Sequence, residues 1–228
     1  MRIVFVRHGH PNYKDDCLTE LGHLHAEAAA KRLADEPFGA IYSSTCGRAR
    51  ETAEHIAAPH GLDVTSYDFM REIHWGSKSK EIFMDGNPWN LVDYMVKEGQ
   101  TLMSPTWRGE FPFAEDDVYL SSYDTVSAGI DGWLEELGFT REGEYYRVGT
   151  AKHETVAMVS HGGASQVALA HMFNLPVPFV CRAICPNFTA ITVVTLNGAE
   201  GELVSPRFEI MNDARHIRGL EANAYFGN

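Results

Sequence analysis

Two short, β-branched apolar runs, Ile3 to Val6 and Val156 to Val159, each stop at a polar residue followed by histidine and glycine. The endings read Arg7-His8-Gly9 and Ser160-His161-Gly162-Gly163. Continuous apolar runs of this kind suit strands covered on both faces, as in a parallel sheet. In an open α/β sheet, ligands bind beyond the carboxyl ends of the strands. Both imidazoles are therefore expected at one crevice, with the glycines permitting close backbone approach.

The segments between these runs alternate in the same sense. Thr19 is placed to cap a helix with Glu20 in its first turn, along which Leu21, Leu24, Ala28 and Leu33 are expected to face the sheet before Pro37 stops it. Ala40 to Ser43 reads as a second strand. Ser44 and Thr45 follow as candidate caps for a helix carrying Ala49, Thr52, Ala53 and Ile56 on one face and ending before Pro59 and Gly61. Val64 to Tyr67 is a third strand. Val126, Ile130, Trp133, Leu134 and Leu137 predict an amphipathic helix closed by Gly138. Glu144 to Val148 reads as a short strand. The strand of His161 leads into an apolar helix reaching about Asn174, and two late strands, Phe188 to Leu196 and Leu203 to Met211, are expected to join through Asn197-Gly198.

The expected fold class is α/β, a three-layer α/β/α sandwich with a mostly parallel central sheet and an inserted, partly helical cap. The whole chain, 1–228, reads as a single domain with a cap insertion at about 77–118. In that stretch Gly86, Pro88, Gly99, Pro105, Gly109 and Pro112 alternate with Trp89, Tyr94, Trp107, Phe111 and Phe113, and a helix is expected around Trp89 to Val96. The aromatic residues suit either an apolar roof over the site or the cap's own small core.

Charge narrows the partners. The chain carries 31 acidic against 19 basic side chains, a net charge of −12, which opposes nucleic acid and anionic membrane surfaces. Cys17, Cys46, Cys181 and Cys185 form neither a zinc-ribbon spacing nor a disulfide framework. They are read as reduced thiols, and with no apolar stretch long enough for a leader or a membrane span the expected location is cytoplasmic.

Against this acidic background Arg7 precedes His8, and Arg48 falls in the first turn of the second helix, where free N–H groups already favour an anion. Two guanidinium groups near two imidazoles suit a phosphoryl group, whereas Arg50 is read as a surface partner of Glu51 or Glu54. Phosphoryl transfer to a histidine also needs an acid for the leaving oxygen. Glu72, in Met70-Arg71-Glu72-Ile73-His74-Trp75-Gly76, is the best placed in chain order; an exposed loop glutamate is the competing reading.

Taken in order, Arg7-His8-Gly9, Leu18-Thr19-Glu20-Leu21-Gly22, Tyr42-Ser43-Ser44 with Arg48-Ala49, Arg71 to Gly76 and Val159 to Gly163 resemble the histidine phosphatase superfamily, the phosphoglycerate mutase-like group with an arginine-histidine-glycine signature. The resemblance implies that His8 becomes phosphorylated, that Arg7, Arg48 and His161 hold the phosphoryl group with His161 also counted as catalytic, and that Glu72 is the proton donor. It implies no metal and no organic cofactor. His10 and Pro11 depart from the family pattern after the glycine, and Lys14 stands where mutases commonly carry asparagine.

The expected activity is a phosphomonoesterase acting on a small phosphorylated metabolite. Phosphoglycerate mutase-like phosphotransfer is one alternative. A metal-dependent hydrolase using His8, His10 and His161, with Asp213 as a further ligand, is a second, and a non-catalytic phosphate-binding module is a third. Exposed aromatic surface on the cap also suits a homodimer contact.

Overall fold

The computed structural model describes residues 1–220. Strand β1 (Arg2–Arg7) is followed by a small hairpin, β2 (Pro11–Asn12) and β3 (Cys17–Leu18), then α1 (Glu20–Arg32), β4 (Phe38–Ser44), α2 (Gly47–Ala57) and β5 (Val64–Tyr67). After α3 (Pro88–Lys97) and α4 (Asp117–Glu136) come β6 (Phe139–Glu142), β7 (Tyr145–Val148), β8 (Thr155–Ser160), α5 (Gly162–Met172) and α6 (Val177–Ala183). Strands β9 (Ile191–Thr195), β10 (Leu203–Val204) and β11 (Arg207–Asp213) complete the order.

The main sheet runs β11-β9-β1-β8-β4-β5. Strands β1, β8, β4 and β5 are mutually parallel, and β9 lies antiparallel to both its neighbours. The period of two along a strand divides β1 between two cores. Ile3 and Phe5 face a cluster built with α3, α4 and α5, while Val4 and Val6 face a second cluster built with α1 and α2. The expected α/β/α layering is therefore present, with helices on both faces of a mostly parallel sheet.

Several local expectations are corrected. Helix α1 does not present its leucines to the sheet: Leu24 is 48% exposed and Leu21 and Ala28 are only partly covered, whereas Gly22, His25, Ala26, Ala29 and Ala30 are buried and Leu33 follows them inward. A close helix–strand approach selects this small-residue face. A side chain at Gly22 would collide with the His10 carbonyl, and one at Gly9 would fall 2.5 Å from the Gly22 carbonyl oxygen. Thr19 does cap α1, accepting the Gly22 N–H at 3.1 Å. Cys46, not Ser44 or Thr45, occupies the cap position of α2. The late segment Leu203 to Met211 divides at Ser205-Pro206, because β10 pairs with β7 in a separate three-stranded sheet while β11 returns to β9. Phe188 to Ala190 lies outside β9, with Thr189 in the left-handed region. Strand β6, helix α6 and the β2–β3 hairpin had no counterpart in the sequence reading.

Residues 77–118 hold α3 and three 3₁₀ turns. Leu91, Val92, Met95, Trp107 and Phe113 from this stretch are buried in the same core as α4 and α5. Trp107 is 7% exposed and packs edge-on against Phe113 and Tyr123, so most of its ring belongs to an interior.

Candidate active site

Strands β1 and β8 are neighbours, with Arg7 paired to Ser160. The next residue of each is a histidine, and the His8 amide donates to the Ser160 carbonyl at 2.8 Å. The two imidazoles therefore stand side by side at the carboxyl edge of the sheet, ring centroids 5.1 Å apart and inclined at 64°. His8 is 1% exposed and His161 fully buried.

The neighbours of His8 decide its tautomer. Its Nδ1 lies 2.7 Å from the Gly9 carbonyl oxygen, which can only accept, so Nδ1 carries the proton and Nε2 presents a lone pair. That lone pair receives Arg48 Nε at 3.3 Å. Arg48 Nη2 donates to His161 Nδ1 at 3.0 Å, which places the His161 proton on Nε2, 2.9 Å from Ser44 Oγ. Ser44 Oγ also accepts the Cys46 N–H at 3.2 Å.

Helix α2 brings Arg48 into place through Thr52, whose hydroxyl accepts the Gly9 N–H at 3.1 Å and donates to the Arg48 carbonyl at 2.8 Å. Arg7 lies 4% exposed, with its guanidinium 4.3 Å from the centroid of the Phe188 ring and Nη1 donating to the Pro186 carbonyl at 2.7 Å. Arg50, as expected, turns to the surface and pairs with Glu54.

Glu72 reaches the site from the loop after β5. Ser160 Oγ donates to the Met70 carbonyl at 2.7 Å, pinning this loop to β8. Oε1 of Glu72 accepts the N–H groups of Ile73 at 3.1 Å and Ala164 at 3.0 Å, the latter in the first turn of α5. Gly163 leaves room for this: a Cβ there would lie 2.8 Å from Glu72 Oε1 and 2.5 Å from the Ile73 side chain.

Burial and charge set the protonation states. Burial, reinforced by the Arg7 guanidinium, holds His8 well below the usual histidine range; His161 is lowered in the same way by burial and then by His8 and Arg48. Both rings are neutral near pH 7. Burial pushes the Glu72 carboxyl up, against its backbone hydrogen bonds and the two arginines. A neutral imidazole and a carboxyl inclined to keep its proton thus flank the same two arginines.

All five residues singled out in the sequence, Arg7, His8, Arg48, Glu72 and His161, converge here. His10 does not join them in ligand geometry: its Nδ1 lies 2.9 Å from Thr19 Oγ1 and its ring packs edge-on against Phe188. Asp213 is bound to Arg215 at 2.8 Å and to Arg32 at 3.8 Å. Among the described residues no group of three histidine, cysteine, aspartate or glutamate side chains gathers to hold a metal ion. Arg48 bridges the two imidazoles that the metal-dependent reading requires, and a guanidinium is a poor neighbour for a dication.

The sequence reading missed Ser44, Phe188, Tyr13 and Asp16. Tyr13 is 68% exposed, its ring 5.4 Å from the Arg48 guanidinium, and it lies close enough to Arg7 to favour that residue's charge. Asp16 pairs with Arg48 and accepts the Gly47 N–H at 2.9 Å.

Residues 3–85 match the model of the histidine phosphatase superfamily, branch 1. That part of the chain is similar to this superfamily. A probable phosphoglycerate mutase GpmB from Photorhabdus laumondii is 33% identical over 85 residues, a match spanning 33% of this chain and 40% of that relative. A 2,3-bisphosphoglycerate-dependent phosphoglycerate mutase from Brucella anthropi is 27% identical over 188 residues, covering 76% of this chain and 82% of the relative. Among solved structures, a phosphoserine phosphatase mutant from Entamoeba histolytica, in complex with phosphoserine, superposes with a TM-score of 0.62 at 19% identity, over 95% of this chain and 98% of that one. A mycobacterial glucosyl-3-phosphoglycerate phosphatase does so with a TM-score of 0.62 at 23% identity, over 92% and 98%. These superpositions establish that the chain shares the α/β fold of these structures. No helix of the described residues is long and apolar enough to cross a membrane.

Proposed function

We propose that the protein is a phosphomonoesterase that hydrolyses a small phosphorylated metabolite through a phosphohistidine on His8. The observation that carries this reading is the state of His8: a neutral imidazole, its Nδ1 proton held by Gly9, with Nε2 aimed at the guanidinium that bridges it to His161. A phosphoryl group entering here takes over the N–H groups of Arg48 and Arg7 and leaves the Nε2 lone pair facing phosphorus.

In the first step the His8 Nε2–P bond forms and the ester P–O bond breaks. Glu72 gives its proton to the leaving oxygen, releasing the alcohol. In the second step the Glu72 carboxylate takes a proton from water as that water attacks phosphorus, and the N–P bond breaks to return neutral His8 and inorganic phosphate. Arg7 and Arg48 offset the charge on the phosphoryl oxygens, with the His161 ring, its Nε2–H held by Ser44, beside them. The cycle requires neither a metal nor an organic cofactor. The chain is read as one domain with residues 77–118 forming its cap.

The test is phosphate release from an aryl phosphate by wild type and His8→Ala, each with and without a strong chelator. Chelator-resistant release in wild type, lost in His8→Ala, together with an acid-labile phosphoenzyme on rapid quench, is the expected result. Activity abolished by chelator and restored by zinc or manganese refutes the phosphohistidine route. Including a phosphoglycerate with an acceptor alcohol distinguishes hydrolysis from mutase-like transfer.

A further inference from the structure

The hairpin between β2 and β3 folds back over the amino end of α2, and its contacts there are specific. Asp16 sits in the left-handed region, φ 50°. Its carboxylate spans two groups: Oδ2 accepts the Gly47 N–H at 2.9 Å, and Oδ1 pairs with Nη1 of Arg48. The approach is close enough that a side chain at Gly47 would collide with the Asp16 carbonyl oxygen.

Arg48 has three nitrogens and three partners: His8 on Nε, His161 on Nη2 and Asp16 on Nη1. The first two are neutral acceptors that a bound phosphoryl group displaces. Asp16 is the one anion among them, and it grips the outer edge of the fork, away from both imidazoles. A guanidinium is planar, so fixing one edge against a carboxylate that is itself tied to the helix backbone fixes the direction of the remaining N–H groups.

We propose that Asp16 is a positioning residue for phosphoryl transfer, holding the Arg48 fork in line with His8 and offsetting part of its charge so that inorganic phosphate leaves after hydrolysis. This rests on the phosphomonoesterase reading, and it adds a second effect that a purely structural clamp does not have. A carboxylate beside the phosphate-binding guanidinium weakens the grip on a dianion; removing its charge tightens that grip while loosening the geometry needed for turnover.

The experiment compares wild type, Asp16→Asn, Asp16→Ala and Asp16→Glu. Steady-state kinetics on an aryl phosphate are combined with inhibition by inorganic phosphate, calorimetric binding of orthovanadate and thermal melts. Asp16→Asn keeps an oxygen for the Gly47 N–H and so preserves the fold. The expected result is a fall in kcat of about tenfold with orthovanadate and phosphate bound about 3- to 10-fold more tightly. Asp16→Ala is expected to lose more kcat, and Asp16→Glu to recover part of it.

Anion affinity and kcat within twofold of wild type in Asp16→Asn, or a lower melting temperature with unchanged kinetic constants, overturns the proposal. The two readings fail separately. Wild type without His8-dependent turnover refutes the phosphatase, whereas tighter vanadate binding by Asp16→Asn is measured without turnover and still reports on the Asp16–Arg48 pair.

Discussion

Glu72 Oε1 lies 3.0 Å from the amide nitrogen of Ala164, so the carboxyl group proposed as proton donor is held by the first turn of the helix that begins at the second histidine. One backbone contact thereby couples the loop after β5 to β8 and α5, and fixes the acid relative to both imidazoles.

Gly163→Ala tests that coupling. The added methyl group falls 2.8 Å from Glu72 Oε1 and 2.5 Å from the Ile73 side chain, so the Glu72 carboxyl and the Ile73 side chain must shift. A displacement on this scale at a reacting group is expected to lower kcat about 100-fold with KM little changed. Steady-state kinetics beside a thermal melt check it; unchanged kcat in a folded variant contradicts the placement of Glu72.

The pH profile follows from the two shifts. His8 must be neutral to attack, and its lowered affinity for protons extends the active range downward, well below the usual 6.5. Glu72 must be protonated to donate, and its carboxyl is raised above the usual 4.5. Turnover is therefore greatest in the mildly acidic range and falls as pH rises through the Glu72 titration. Glu72→Gln is expected to lose most activity and, with it, that alkaline limb. A wild-type rate that keeps climbing above pH 7 excludes Glu72 as the acid.

Tyr13 competes with a phosphoryl oxygen for Arg7. Its exposed phenol lies beside that guanidinium, where a hydrogen bond between the two is the expected contact in solution, while the ring lies over Arg48. Removing one such hydrogen bond is worth about 1 kcal/mol, so Tyr13→Phe is expected to lower KM for a small alkyl phosphate roughly fivefold at constant kcat. A raised KM shows instead that the phenol touches substrate.

His25 makes the fold acid-sensitive. It is fully buried on the sheet side of α1, stacks on Phe188, and its two ring nitrogens have no hydrogen-bond partner. Burial lowers it from 6.5 to about 4. The unfolded chain thus binds the proton more readily, so this contribution to stability is complete above pH 6.5 and declines as pH falls toward 4. His25→Leu is expected to melt about 3 °C or more above wild type near pH 4.5, the gap narrowing at pH 7.5. An equal offset at both pH values assigns the gain to packing alone.

Much of this architecture was legible from local pattern. The strands bearing His8 and His161 announce themselves because burial on both faces demands continuous apolar sequence, and Arg48 stands out because it adds a cation, in an acidic chain, to a first helical turn whose free N–H groups already favour an anion. The α1 face departs from the pattern because leucine is the default core residue, whereas the close approach of Gly22 to Gly9 and the His10 carbonyl leaves no room there for a side chain and turns the leucines outward. Helix α6 was hidden by Pro176 and Pro178, which suggest a loop although a first helical turn accepts proline. Asp16 could not be singled out from Asp15 by composition, since its role depends on how the hairpin folds back; the glycine before Arg48 was the trace it left.

The pairing of Arg7 with Ser160 carries a consequence for how this catalyst fails. The two imidazoles are juxtaposed by the register of adjacent central strands, not by mobile loops, and a slip of one residue would turn every side chain of β1 to the opposite face. Such a slip would exchange the two cores at once and part His8 from His161. The geometry of the proposed site is in this sense a property of the sheet's register and not of any single loop.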